Sequence, residues 1–71
     1  MENINIRFGK RLRQLRKRKK LTQEGLAYAT GLEYKYIQRL EGKKPSSPTL
    51  NTLEKLAKAF NITISKLTRF N

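Results

Sequence analysis

The spacing of apolar residues is the feature that most constrains the fold of this chain. In the first segment they recur at steps of four, four and three, at Ile4, Phe8, Leu12 and Leu15. Such spacing places the four side chains on one face of a helix. No stretch of the chain alternates apolar and polar residues as a half-buried strand does. The sequence therefore predicts an all-α fold.

Capping and turn residues predict where the later helices begin and end. Thr22, Thr49 and Thr63 each precede a segment of helical spacing, as N-cap residues do. Gly31 and Asn61 suit the left-handed conformation that ends many helices. The predicted later helices run from Gln23 to about Ala29, from Glu33 to Glu41 and from Leu50 to Phe60, followed by a short turn with Ile64 and Leu67. The inner face of the helix from Leu50 to Phe60 is predicted to consist of Leu50, Leu53, Leu56, Ala57 and Phe60. The result is a compact domain of four to five helices.

Positive charge dominates the chain, with 17 Lys and Arg against 5 Asp and Glu and a formal net charge of +12. Nine of the cations lie between Arg7 and Lys20, a stretch that contains no acidic residue. A basic block of this size predicts either a contact surface for a polyanion or a disordered tail. The apolar spacing within the same stretch favours an ordered helix with a charged outer face.

The absence of cysteine and histidine excludes several classes of protein. Disulfide scaffolds, zinc sites of the Cys/His kind and imidazole catalysis all need residues that the sequence lacks. The carboxylates lie in separate segments and no glycine-rich phosphate loop is present, so we expect no enzyme activity, metal or cofactor. No apolar run approaches the ~18 residues of a membrane span, and a chain this short leaves no room for an effector domain. We expect a cytoplasmic protein associated with the nucleoid, without a small-molecule ligand.

The segment from residue 23 to residue 41, QEGLAYATGLEYKYIQRLE, carries the most specific pattern. Two short helices meet at a turn containing Gly31, which fits the steep crossing of a helix-turn-helix. Ala27 supplies the small side chain that such a crossing needs. Apolar anchors flank the turn at Leu26, Leu32, Ile37 and Leu40. We therefore predict one domain over residues 1–71, with a helix-turn-helix motif at about residues 22–41.

The chain resembles the phage repressor/Cro-like helix-turn-helix family, also called the xenobiotic-response-element type, over about residues 6–68. The matching strings are FGKRLRQLRK, LTQEGLA, GLEYKYIQRLEGKK and TLNTLEKLAKAFNITISKL. The resemblance implies a lambda-repressor-like fold of five helices, and a transcriptional regulator that binds two-fold-symmetric operators as a homodimer. Lys20 departs from the pattern, since a glycine usually ends the first helix there. Glu33 also departs, because it replaces a Ser or Thr cap.

The resemblance also implies roles for individual residues. The second helix of the motif enters the major groove in this family, and its outward side chains would contact bases. These side chains are Tyr34, Lys35, Gln38 and Arg39, and the alternative interpretation is an ordinary solvated helix face. The residues expected to contact DNA phosphates are Gln23, Lys43 and Lys44. Arg16 and Glu41 are expected to form a structural ion pair rather than to touch DNA.

Two further expectations concern partners. A protein that coats nucleic acid without sequence preference would share the charge of this chain, and it is the alternative function. For a specific regulator, the expected homodimer interface lies after Asn61, where the apolar residues are Ile62, Ile64, Leu67 and Phe70. The alternative there is that Ile64 and Leu67 only cover the core of the monomer, with Phe70 frayed.

Overall fold

The computed structural model describes residues 3–70 and contains helices but no strand in that range. The helices are α1 (Ile4–Arg18), α2 (Gln23–Thr30), α3 (Tyr34–Leu40), α4 (Leu50–Phe60) and α5 (Ile64–Leu67). The all-α prediction is therefore confirmed, with α2 and α3 as the two helices of the helix-turn-helix. Within the described residues, no helix combines the length and apolar character that crossing a membrane would require.

The predicted caps account for most of the helix boundaries. The hydroxyls of Thr22, Thr49 and Thr63 each accept a hydrogen bond from the backbone N–H three residues ahead. Gly31 and Asn61 adopt left-handed conformations, with φ of 75° and 56°. These local predictions are confirmed. Only α3 is shorter than predicted, because its flanking glutamates have cap rather than helical positions, and the first of them makes no side-chain cap hydrogen bond.

The core brings together the inner faces of all five helices. Its buried members are Phe8, Leu12, Leu15, Leu26, Ala27, Ile37, Leu40, Leu56, Ala57, Phe60 and Leu67. Two residues that the spacing placed on inner faces lie outside it, since Ile4 is 61% exposed and Leu50 is 79% exposed. Each is the first residue of its helix. Those helix ends project past the core, so the predicted burial of Ile4 and Leu50 is wrong.

Gly9 sets the distance between α1 and α3, a role that no pattern in the sequence indicates. It is buried on α1, and a Cβ atom at this position would overlap the backbone carbonyl oxygen of Leu40 at the end of α3. The Gly9 backbone determines where the Cβ atom lies, and the carbonyl oxygen belongs to the Leu40 backbone. No side-chain rotation could therefore make room. A glycine at this position therefore permits the close approach that places α3 beside α1.

Lys20 has a left-handed backbone, with φ of 58°. This conformation destabilises an L-residue by roughly 1–2 kcal/mol, whereas glycine adopts it readily. We expect Lys20→Gly to raise the free energy of unfolding by about 0.5–1 kcal/mol, because relief of strain exceeds the added entropy of the unfolded chain. Thermal unfolding should show an increase of a few degrees.

The matched control is Lys19→Gly, which removes the same charge at a residue whose φ is −85°. Glycine brings only its entropic penalty there, so this variant should unfold at a lower temperature than the parent. Equal changes in the two variants would show that charge, and not backbone conformation, determines the effect.

Candidate nucleic-acid interface

The outer face of α3 presents a group of hydrogen-bonding side chains. Ile37 and Leu40 anchor the inner face of this helix and are fully buried. The exposed residues on the other side are Tyr34, Lys35, Gln38 and Arg39. Within this group, Nε2 of Gln38 donates a hydrogen bond to the Tyr34 hydroxyl at 3.1 Å. The helix therefore offers two cations, an amide and a phenol to a partner.

Arg16 and Glu41 form a two-pronged ion pair between α1 and the end of α3. Arg16 Nε lies 2.8 Å from Glu41 Oε2, and its Nη2 donates to Oε1 at 3.0 Å. Arg16 Nη1 donates to the backbone carbonyl of Leu21 at 2.8 Å. The side chains are only 11% and 3% exposed. This arrangement fixes α1, the segment before α2 and the end of α3 relative to one another.

The same ion pair affects the titration of Arg16. Its hydrogen bonds with Glu41 raise the pKa of the guanidinium, and this effect outweighs desolvation, which by itself would lower the pKa. A raised pKa means that the pair stabilises the fold at every pH below the ordinary pKa of arginine, and that this contribution is lost only in stronger alkali. Arg16 therefore gives the protein no pH dependence near neutrality.

Gln23 extends the ion pair toward the surface. Its Nε2 donates to Glu41 Oε1 at 3.2 Å, which holds the amide at the first turn of α2. Gln23 also lines a cleft of about 430 Å³, together with Arg13, Arg16, Thr22, Glu24, Tyr34 and Glu41. The structure thus brings a predicted phosphate contact, a predicted base contact and the predicted ion pair to one cleft.

A second groove, of about 460 Å³, is lined in part by the same residues. Arg13 and Glu41 belong to both linings, and Lys10 and Lys43 also line this second groove. Lys44 is exposed in the segment that follows α3. Neither groove lining includes Lys35, Arg39 or Lys44. These three exposed cations therefore extend the positively charged surface beyond the grooves.

Two hydrogen bonds position the α3–α4 connection and the helices that it joins. Near its end, the Ser47 hydroxyl and the Asn5 side-chain amide of α1 hydrogen-bond at 2.9 Å. Beyond the connection, the hydroxyl of half-buried Tyr36 lies 3.1 Å from Thr52 Oγ1, which links α3 to α4. These contacts hold the connection that contains the exposed Lys43 and Lys44 between α1 and α4.

Part of the basic block faces away from α3. The Arg7 guanidinium lies 6.0 Å from the centre of the Phe70 ring, and Arg11 Nη2 donates to the Lys66 carbonyl at 3.0 Å. Both arginines therefore hold the segment after α4 against α1. Sequence reasoning assigned neither residue this role. Their spacing of four on one helix was the available signal, but it does not reveal what they face.

The segment after Asn61 also differs from expectation. Leu67 is fully buried and belongs to the core, so its place among the residues of a dimer interface is wrong. Phe70 packs on Phe8 with the ring centres 6.3 Å apart, so the alternative of a frayed Phe70 is wrong as well. Ile64 remains 39% exposed, and Ile62 is half-buried.

The fold and the exposed face of α3 define a helix-turn-helix DNA-binding domain. Residues 11–71 match the Cro/C1-type HTH DNA-binding domain, and the chain belongs to this family of transcriptional regulators. The resemblance seen in the sequence is therefore confirmed. Among residues 3–70, no three acidic, histidine or cysteine side chains come together as metal ligands.

Named relatives place the chain among regulators. Control protein C.MunI from Mycoplasma sp is 40% identical over 68 residues, which cover 94% of this chain and 90% of that protein. The HTH-type transcriptional repressor RghR from Bacillus subtilis (strain 168) is 42% identical over 55 residues, or 78% of this chain and 41% of the repressor. The chain thus spans most of C.MunI and less than half of RghR.

Solved structures agree with this placement. The restriction-modification controller protein C.AhdI from Aeromonas hydrophila superposes with a TM-score of 0.82 at 38% identity, covering 89% of this chain and 94% of that one. The restriction-modification controller protein C.Esp1396I superposes with a TM-score of 0.81 at 22% identity, covering 96% of this chain and 90% of that one, a similarity of fold alone.

Proposed function

We propose that this chain, as one helix-turn-helix domain, is a sequence-specific regulator that binds a two-fold-symmetric DNA operator as a homodimer. The main supporting observation is the outer face of α3, where four hydrogen-bonding side chains are exposed side by side. The second helix of a helix-turn-helix lies in the major groove, where each base pair has a distinct pattern of donors and acceptors. An exposed face of this composition suits that environment.

The proposed base contacts are Tyr34, Lys35, Gln38 and Arg39. Arginine and lysine donate well to O6 and N7 of guanine, and glutamine pairs with N6 and N7 of adenine. The hydrogen bond between Gln38 and Tyr34 restricts the amide and gives the phenol a place beside it. The two side chains are therefore proposed to read neighbouring positions of one half-site.

The proposed phosphate contacts are Gln23, Lys43 and Lys44. Gln23 lies in the first turn of α2, where backbone N–H groups and the helix dipole favour an anion. Glu41 accepts from the Gln23 amide nitrogen, which leaves the second amide hydrogen for a phosphate oxygen. The two lysines are exposed after α3 and add charge-assisted contacts. Contacts of this kind fix the position of a protein on DNA without reading its sequence.

We further propose a controller-type role in a restriction–modification system. Two similar proteins, C.MunI and C.AhdI, carry the names control protein and restriction-modification controller protein, and the similarity extends over 90% and 94% of their lengths. Since the named relatives are regulators, the proposal includes no catalytic step, cofactor or small-molecule ligand. It places the protein in the cytoplasm, with duplex DNA as its partner.

The homodimer is proposed because one domain of this size reads only a few base pairs, too few to select a site in a genome. Exposed Ile64 and half-buried Ile62 and Phe70 are the proposed apolar part of the interface. A charge of +12 on each chain opposes pairing until DNA phosphates neutralise it. We therefore expect the dimer to be more stable on DNA than in its absence.

Selection of binding sites from random duplexes tests the proposed function. The expected result is a pair of inverted half-sites whose centres are about one helical turn apart, occupied by two chains in sedimentation. Enrichment of no sequence, with equal affinity for all duplexes, would instead favour the nucleic-acid-coating function. One chain per selected duplex would contradict the homodimer while leaving sequence-specific binding intact.

Replacement of Arg39 and of Lys44 separates the two proposed kinds of contact. Arg39→Ala should weaken operator binding by roughly 1–3 kcal/mol and relax preference at one position of each half-site. Lys44→Ala should weaken binding to all duplexes similarly and reduce the salt dependence by about one unit per contact. Titrations on the selected operator and on single-base variants measure both effects. A change of sequence preference in Lys44→Ala would contradict its assignment as a phosphate contact.

A further inference from the structure

The cations of α1 point toward different parts of the molecule. Arg7 and Arg11 hold the C-terminal segment, and Arg16 is paired with Glu41. Arg18 and its neighbour Lys19 line a hollow of about 250 Å³ with Phe60 and Ile62, on another flank of the helix. Most of the basic block is therefore committed to the fold or directed away from α3.

Arg13 differs from these cations, because it lines both grooves beside α3. One groove contains Gln23 and Tyr34, and the other contains Lys10 and Lys43. Arg13 is exposed, and within residues 3–70 its guanidinium has no hydrogen-bond or ion-pair partner. It therefore lies between the proposed phosphate contact on α2 and the one that follows α3.

The charges around Arg13 suit a phosphate. Glu41 lines both grooves, but its carboxylate is already neutralised by Arg16 and hydrogen-bonded to Gln23. Glu24 contributes to one groove only, on the first turn of α2. Against the Glu24 carboxylate stand Arg13 and, in the adjoining groove, Lys43. The shared boundary of the two grooves is thus positively charged.

We propose that Arg13 binds a backbone phosphate of duplex DNA and that the DNA footprint includes the outer face of α1. This inference rests on the proposed function, whose contacts lie on α2, on α3 and just after α3. With Arg13 included, the proposed phosphate contacts would run from Gln23 through Arg13 to Lys43 along one continuous DNA strand. A guanidinium suits this role because its fork of donors matches phosphate oxygens.

The test compares Arg13→Gln with Arg18→Gln in the full chain. Each variant removes one positive charge from an exposed arginine of α1, and the five-residue separation turns the two side chains roughly 140° apart. Affinities are measured at several salt concentrations on the selected operator and on an unrelated duplex. We expect Arg13→Gln to reduce the slope of log affinity against log salt by about 0.9 per bound chain, with a smaller change for Arg18→Gln.

The outcomes separate this proposal from the proposed function. Equal slopes in the two variants would overturn the role of Arg13, and so would altered base preference in Arg13→Gln. Arg13→Lys should retain most of the slope, because a lysine keeps the charge that a phosphate requires. If the parent protein fails to distinguish the operator from the unrelated duplex, the proposed function fails, but the slopes on either duplex still test Arg13. Melting curves verify that all variants are folded.

Discussion

Removal of the Glu41 carboxylate is expected to reduce the free energy of unfolding by about 3 kcal/mol, the lower end of the range for breaking a buried pair, because it leaves the partly buried Arg16 without its counter-ion. In Glu41→Ala, the guanidinium keeps its hydrogen bond to the Leu21 carbonyl but loses those to both carboxylate oxygens. A chain of this size has a total stability of only about 4–10 kcal/mol, at roughly 0.05–0.15 kcal/mol per residue. Urea unfolding should therefore show a large loss or a population already unfolded without denaturant.

Two further variants identify the cause of that loss. Glu54→Ala removes an exposed glutamate of α4 and should change stability by less than about 0.5 kcal/mol, as surface substitutions usually do. The double variant Arg16→Met, Glu41→Leu replaces the pair with apolar side chains and should recover most of the stability, because neither charge is then buried. A double variant as unstable as Glu41→Ala would show that lost packing, and not an uncompensated charge, explains the effect.

The loss of Glu41 should also affect DNA binding beyond its effect on folding. Glu41 holds the Gln23 amide at the first turn of α2. A folded variant without the carboxylate would leave that amide free to adopt other rotamers, and ordering it on DNA would then cost entropy. Because Gln23 is a proposed phosphate contact, this entropic cost should weaken binding to all DNA sequences alike.

Helix boundaries could be predicted from the sequence because they depend on neighbouring residues. The Thr22 and Thr49 hydroxyls cap their helices through bonds that span three residues, and Gly31 ends α2 through its own backbone conformation. Burial depends instead on elements distant in sequence. The apolar spacing correctly predicted that Phe8 would be buried, but it could not show that Leu50 lies where α4 projects beyond the core.

The same distinction between local and distant contacts explains how much of the candidate site could be predicted from the sequence. The outward face of α3 follows from which residues of that helix are apolar, so Gln38 and Arg39 could be recognised as exposed from the sequence. The orientations of the α1 arginines depend on what packs beside each of them. Arg11 meets the Lys66 carbonyl from 55 positions away, whereas Arg13 faces the grooves beside α3. Composition identifies a basic block, but only the packing shows which of its cations hold the fold together and which remain available at the surface.

Gly9→Ala is expected to destabilise the fold by about 3 kcal/mol, at the upper end of the range for overpacking. The new methyl group would overlap the Leu40 carbonyl oxygen, and relief requires α1 and α3 to separate because both sides of the contact are backbone. Ala is the better helix former by roughly 1 kcal/mol, so the measured loss would understate the steric penalty. Thermal unfolding should show a decrease of at least 10 °C, at roughly 4–8 °C per kcal/mol for a domain of this size.

Gly25→Ala provides the matched control, since it makes the same substitution within another helix. There the nearest atom to the added Cβ is the Thr22 hydroxyl oxygen at 3.2 Å, the tip of a side chain that can shift by a few tenths of an ångström. The gain in helix propensity should then equal or exceed the steric cost, which leaves stability unchanged or slightly increased. Loss of stability at Gly9 alone would show that the approach of α1 to α3 requires glycine. An equal loss at both positions would instead point to a general intolerance of larger side chains, and a Gly9→Ala variant as stable as the parent would contradict the close backbone contact itself.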